Sequence, residues 1–176
     1  MTILELQMQN ATKNQFEKFV EYLYIRCDKF LMAIPNFKRT RYQQDEMNEE
    51  YKKYLNNIKP ICDSIEPYII YKYYTKHYMH TKSSIIIDAR LVKFYEGFKD
   101  ILLKSGGFHK WLYPKYPEDL CFFSGEKCCF FTVTHEDMFY IVEPNDEDID
   151  MLEKIGMEYQ DIYYCDFENL EWYLGN

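Results

Sequence analysis

The run Leu120-Cys121-Phe122-Phe123-Ser124-Gly125-Glu126-Lys127-Cys128-Cys129-Phe130-Phe131-Thr132-Val133-Thr134 decides the fold. Ser124-Gly125-Glu126 is a turn between two β-rich stretches, so Leu120–Phe123 and Lys127–Thr134 read as the strands of a hairpin. Met138–Val142 reads as a third strand, which makes a β-meander. The middle strand is apolar on both faces at Cys128-Cys129-Phe130-Phe131, which gives it a central position in a sheet; exposed, it would be an aggregation hazard. Cys128 and Cys129 are adjacent on that strand and therefore point to opposite faces.

Downstream of the meander, Asn145 is placed to cap a short helix over Asp146–Ile155. Its first turn holds acids that oppose the positive end of the helix dipole, and Gly156 ends it. Glu158–Cys165 reads as a last strand, and Phe167–Leu174 as a final helical turn on the body.

Upstream, helical spacing dominates. Phe16, Phe19, Val20, Leu23, Cys27, Phe30 and Leu31 form one apolar stripe, with Thr12 and Gln15 as a capping box and Pro35 as the stop. Ile34–Phe37 is then a loop. A second helix is expected over Gln44–Ile58, with Met47, Tyr51, Leu55 and Ile58 on one face and Pro60 ending it. Tyr68–Tyr78 is β-rich and reads as a strand. Ile85–Ile87 reads either as a short strand or as the lead into a third helix over Asp88–Lys104. The stripe of that helix is Leu91, Phe94, Tyr95, Phe98, Ile101 and Leu102, and Gly106 is its stop.

These elements predict an α+β protein: N-terminal helices packed on a small, mainly antiparallel sheet, with a C-terminal β-meander plus short helix. The 176 residues form a single domain over 1–176, helical over about 12–104 and meander plus helix over about 108–176. A chain of that length buries enough surface to fold without a disulfide or metal. The 18 Tyr and 13 Phe predict a core rich in rings, with many phenols at half-buried boundaries.

Net charge is −8, and Lys and Arg are not clustered, which argues against direct nucleic-acid binding. The short basic run Lys38, Arg39, Arg41 reads as a solvated helix start. An acidic surface suits a basic protein partner. The N-terminus, Met1-Thr2-Ile3-Leu4-Glu5-Leu6, has no signal-peptide pattern, and no apolar run is long enough to span a membrane. The six cysteines then read as buried free thiols of a reducing cytoplasm.

Glu118, Asp119, His135 and Glu136 are the candidate catalytic residues. Two acids precede one strand and a His-Glu pair ends its neighbour, so a hairpin brings the ends together. Carboxylates beside an imidazole suit acid–base work. The same residues equally suit turns, with the acids accepting backbone N–H groups and the His-Glu pair pinning a corner. Trp111, Tyr113 and Tyr116, in an irregular proline-punctuated stretch, are the candidate binding residues. His77 and His80 lack a third ligand, Cys128-Cys129 is not C-x-x-C, and no metal or cofactor is expected. The dinucleotide, P-loop, G-x-S-x-G, H-E-x-x-H and EF-hand signatures are absent.

The stretch Trp111-Leu112-Tyr113-Pro114-Lys115-Tyr116-Pro117-Glu118-Asp119-Leu120-Cys121-Phe122-Phe123, followed by Thr132-Val133-Thr134-His135-Glu136-Asp137, resembles a group of small bacterial proteins of no established activity. Their signature is W-x-x-P-x-x-P-E-D-L-x-F, a hairpin, and a strand ending in H-E. The resemblance covers about residues 108–157 and implies a shared fold and a bacterial or phage source.

The function expected from these features is that of a non-catalytic intracellular protein-binding protein of the immunity or inhibitor type, directed at a toxin or defence enzyme. Its alternatives are a small hydrolase or nucleotide-processing enzyme that uses His135 with Glu118, Asp119 or Glu136, and a small-molecule-binding module with a Tyr-lined pocket between helices and sheet.

Overall fold

A computed structural model describes residues 2–36, 46–78 and 81–163. Its centre is the predicted meander: β5 (Glu118–Ser124), β6 (Lys127–Val133) and β7 (Met138–Val142). They belong to one eight-stranded antiparallel sheet in the order β3-β4-β2-β5-β6-β7-β1-β8. Here β1 is Thr2–Leu6, β2 Lys29–Asn36, β3 Ile69–Tyr78, β4 Thr81–Lys93 and β8 Tyr159–Tyr163. The helices are α1 (Lys13–Arg26), α2 (Glu46–Ile65), α3 (Glu96–Ser105) and α4 (Asp146–Ile155). The α+β class is as expected, and strands from both ends of the chain share the sheet.

Three elements differ from the sequence reading, each for a physical reason. Helix α1 has the expected Thr12–Gln15 capping box but ends at Arg26; Cys27 is already extended. Phe30–Ile34, assigned to the end of that stripe and a loop, is the buried centre of β2. Phe30, Met32 and Ile34 face one core cluster, Leu31 and Ala33 another. A strand buried on both faces shows no polar alternation, so its apolar run continues a helical stripe by coincidence. Pro35 is tolerated because pairing with β5 ends at Ala33 while pairing with β4 continues to Asn36, so its missing N–H faces no neighbour.

Helix α2 runs through Pro60 instead of ending before it. The proline withholds an N–H from the Asn56 carbonyl, yet both residues are exposed, where water satisfies that group. Tyr51, Tyr54, Ile58, Ile61 and Ile65 stay buried across the break. The predicted third helix is shorter and later: Asp88–Lys93 belongs to β4, and α3 starts only at Glu96. Residues 12–104 thus hold three strands as well as three helices. Gly106 is the left-handed stop of α3, as expected.

The larger core lies between helices and sheet and is built from rings: Phe30 stacks on Phe98 at 3.8 Å, and Phe19 meets Phe130 edge-on at 5.0 Å. Ile3, Leu31, Ala89, Cys121, Phe123 and Phe131 form a second cluster on the other face. Cys129 belongs to the first cluster and Cys128 packs against the second, the opposite facing expected of neighbours on a strand. The five described cysteines are free thiols. Among the described residues no helix is long and apolar enough to cross a membrane. The basic run Lys38-Arg39-Arg41, His80, Cys165 and the aromatic tail lie outside the described residues.

Candidate functional site

The hairpin corner brings Asp119, His135 and Glu136 together, while Glu118 turns elsewhere. Glu118 Oε1 accepts the Tyr113 main-chain N–H at 3.0 Å, which fixes the turn before β5. Asp119 adopts a left-handed φ of 51°, and its Oδ1 accepts the Thr134 N–H at 3.0 Å. Thr132 Oγ1, fully buried, accepts the Leu120 N–H at 2.9 Å and the Thr134 hydroxyl at 3.1 Å. His135 is 55% exposed; its Nδ1 lies 3.9 Å from Asp119 and its Nε2 3.6 Å from Glu136, beyond hydrogen-bond reach. Burial pushes the Asp119 carboxyl up to about 6, against the stabilising Thr134 N–H and with help from the Glu118 charge. The corner therefore ties its acids to backbone amides and leaves its imidazole in solvent. Among the described residues no group of three His, Cys, Asp or Glu is placed to hold a metal.

Of the candidate binding residues, Trp111 is fully buried. Its ring lies between Phe98 (5.6 Å) and Tyr116 (4.9 Å), and its Nε1–H donates to Ser105 Oγ at 2.9 Å. This is a satisfied core tryptophan with no surface for a partner. Tyr113 and Tyr116 are half-buried against the same core, Tyr113 with its ring 4.8 Å from that of Tyr54.

A second polar knot joins α1 to α4. Asp148 is 0% exposed and closes the α4 capping box with Asn145, accepts the Tyr22 hydroxyl, and is ion-paired to Arg26. Beside it, a hydrogen bond with Cys27 draws the Cys129 thiol down to about 7, opposed by burial and aided by Arg26, and the Cys27 thiol is raised in turn. Both sulfurs are buried in the core.

A cleft of about 300 Å³ lies between α2 and the helix-facing side of β2 and β4; the sequence reading offered a Tyr-lined pocket between helices and sheet as one alternative but named no residues for it. Ile34, Tyr51, Leu55 and Ile58 supply its apolar wall, and Asp88 and Arg90 its polar floor. Arg90 Nη2 and Nε donate to Asp88 at 2.9 and 3.4 Å, and Lys72 Nζ lies 3.6 Å from the same carboxylate. Burial is the largest influence on Arg90 and works to lower its pKa; the bond to Asp88 together with the Cys62, Asp88 and Glu66 charges outweighs it, so the group is raised. Burial and then the Asp88 charge raise the Tyr51 phenol, and burial raises the Cys62 thiol. The signal was present in Ile87-Asp88-Ala89-Arg90-Leu91, whose strict alternation is that of a strand with one polar face.

The remaining surface feature is the β3 edge. Ile70 is 57% exposed, Tyr71 55% and Tyr74 54%, and Tyr68 just before them is exposed too. Fold and sites together define an α+β protein built on an eight-stranded antiparallel sheet. No family model, curated protein or solved structure matches the chain.

Proposed function

We propose that the protein is a non-catalytic binding protein that takes an extended segment of another protein onto β3, the outermost strand among the described residues. The observation that carries this reading is the exposure of Ile70, Tyr71 and Tyr74 on the outermost described strand and of Tyr68 just before it. An outer strand presents unpaired N–H and C=O groups, and proteins normally shield such edges or use them. Tyrosine combines contact area with a polar tip, which is why interfaces favour it. Lys72 and Lys76 lie on the same strand and favour acids on the incoming segment. The chemistry-poor corner around His135 supports a role without turnover. The immunity or inhibitor class, a cytoplasmic setting, and the bacterial or phage source implied by the resemblance at residues 111–136 are parts of the same proposal.

Selection from a random peptide display library tests it. The expected outcome is enrichment of segments with alternating aliphatic and acidic residues, whose binding perturbs the amides of Ile69–Tyr78 and disappears in Tyr71→Lys/Tyr74→Lys with the fold intact. Absence of enrichment, or binding that maps away from β3, overturns the reading.

A further inference from the structure

Two thiols meet where α1 gives way to β2. Cys27 is the first extended residue after α1. Its neighbour Asp28 donates its N–H to the Phe123 carbonyl at 2.9 Å and accepts the Gly125 N–H on Oδ1 at 2.8 Å. The β5–β6 turn is thereby fastened beside Cys27. Across that turn the pairing runs Phe122↔Phe130 and Phe123↔Cys128, so Cys129 is the extra residue of a β-bulge. The bulge turns Cys129 and Phe130 to the same, helix-facing side, where Cys27 also packs. The two sulfurs are hydrogen-bonded to one another. Cys121 and Cys128 face the other side of the sheet, and Cys62 sits on α2.

The surroundings give the two thiols different roles. The bond from Cys27, with help from the Arg26 charge, holds the Cys129 thiol down to about 7 against burial, so a sizeable share is thiolate at neutral pH. The Cys27 thiol is raised and stays protonated. Asp148 opposes the Cys129 thiolate, but that carboxylate is already engaged by Arg26, Tyr22 and Asn145. Cys27 keeps 5% and Cys129 4% of its surface in solvent, whereas Phe122, Phe123 and Phe130 around them keep none. The turn above them, Ser124 to Lys127, is exposed. A reagent close to water in size therefore has only that turn to pass.

From this juxtaposition we infer that Cys27 and Cys129 form a peroxide-reactive dithiol, oxidised by hydrogen peroxide to a disulfide that ties the end of α1 to β6. The Cys129 thiolate attacks one peroxide oxygen and the O–O bond breaks. The departing hydroxide takes up the proton that Cys129 had released to solvent. The Cys27 sulfur then attacks the sulfenic sulfur on Cys129; the S–S bond forms, and the hydroxyl leaves with the Cys27 proton as water. Each sulfur gives up one electron, and one hydrogen peroxide becomes two waters. A link between positions so far apart in the chain restricts the unfolded state, so the oxidised protein resists unfolding. The inference does not depend on the β3 proposal, since β4, β2 and β5 separate that strand from β6.

Treatment of the reduced full chain with hydrogen peroxide at pH 7, then alkylation and peptide mapping by mass spectrometry, tests it. The expected product is a Cys27–Cys129 link, formed about ten-fold or more faster than Cys62 or Cys128 is oxidised. Dithiothreitol should reverse it, and the linked chain should unfold at a higher guanidinium concentration. Cys27→Ser should leave a sulfenic acid on Cys129 that dimedone traps, and Cys129→Ser should leave Cys27 reduced. The mapping of the unaltered chain stays decisive if either variant fails to fold. Survival of both thiols while Cys62 or Cys128 reacts, a dominant link to any other cysteine, or a Cys27–Cys129 link no more abundant from the folded chain than from chain oxidised in guanidinium would each overturn the inference.

Discussion

At the β5–β6–β7 corner Glu118, Asp119 and Thr132 each accept a main-chain N–H, from Tyr113, Thr134 and Leu120. At the β3–β4 hairpin Asp88, Arg90 and Lys72 bind one another beside a cleft and an exposed aromatic edge. The centre and one side of the same sheet thus use similar residue types for different purposes. A carboxylate that satisfies a backbone donor removes the desolvation cost of that donor and fixes a turn. A carboxylate that satisfies a guanidinium only offsets the cost of burying both. The first arrangement is explained by folding alone, and the second is an ion pair whose net contribution to stability is small.

Four measurements bear on this contrast, and the largest expected effect is at the packed end. Trp111→Ala should cost about 4 kcal/mol in denaturant unfolding, since it empties a core site and removes the indole donor to Ser105 Oγ, which keeps its own bond to the Leu102 carbonyl. A cost under about 1 kcal/mol would show that the region is loosely packed and the contrast misdrawn.

Asp119 gives the next effect, read against pH. Its folded pKa is raised to about 6 from an ordinary 3.8, so its contribution to stability is full below the unfolded value and is lost as pH rises through the folded one. Asp119→Asn stays neutral throughout. Relative to wild type it should gain on the order of 2–3 kcal/mol between pH 4 and pH 7, from the size of the shift. Parallel stability profiles over that range would show that burial does not hold the carboxyl.

At the open end, Arg90→Met alone should cost about 2 kcal/mol because it abandons Asp88, whereas Asp88→Leu/Arg90→Met should return to within about 1 kcal/mol of wild type. If the double variant is as unstable as the single, the pair belongs to the fold after all. The smallest effects are expected at the exposed groups: Tyr71→Ser and His135→Ala should each shift stability by less than about 0.5 kcal/mol in thermal melts. A larger loss for His135→Ala would mean that the 3.9 Å and 3.6 Å contacts carry more than surface ion pairs usually do.

What could be read in the sequence follows the same divide. The meander, the Asn145 cap and the Gly106 and Gly156 stops are set by neighbours in the chain, and they were legible. Strand β2 and Asp88–Lys93 of β4 were not, because β2 pairs with strands 50 to 94 positions away, as in Ile34↔Asp88 and Phe30↔Phe122. With Asp88 and Arg90 placed on a helix, the polar floor of the cleft under α2 could not be foreseen. The Pro-Glu-Asp and His-Glu residues were found at one corner because a hairpin joins them, but their backbone bonds depend on the left-handed φ of Asp119, which residue type alone does not announce.

The position of β1 between β7 and β8 has a consequence for the order of events during synthesis. Its lateral partners, Tyr140–Val142 on one side and Tyr159–Tyr163 on the other, lie well over a hundred residues downstream. While the ribosome is still adding them, Ile3, Leu4 and Leu6 have no strand to lie against, although α1 next to them can already wind from local contacts. The first strand of the sheet is thus among the last to be seated, and it stays apolar and unpaired until β7 and β8 have been made.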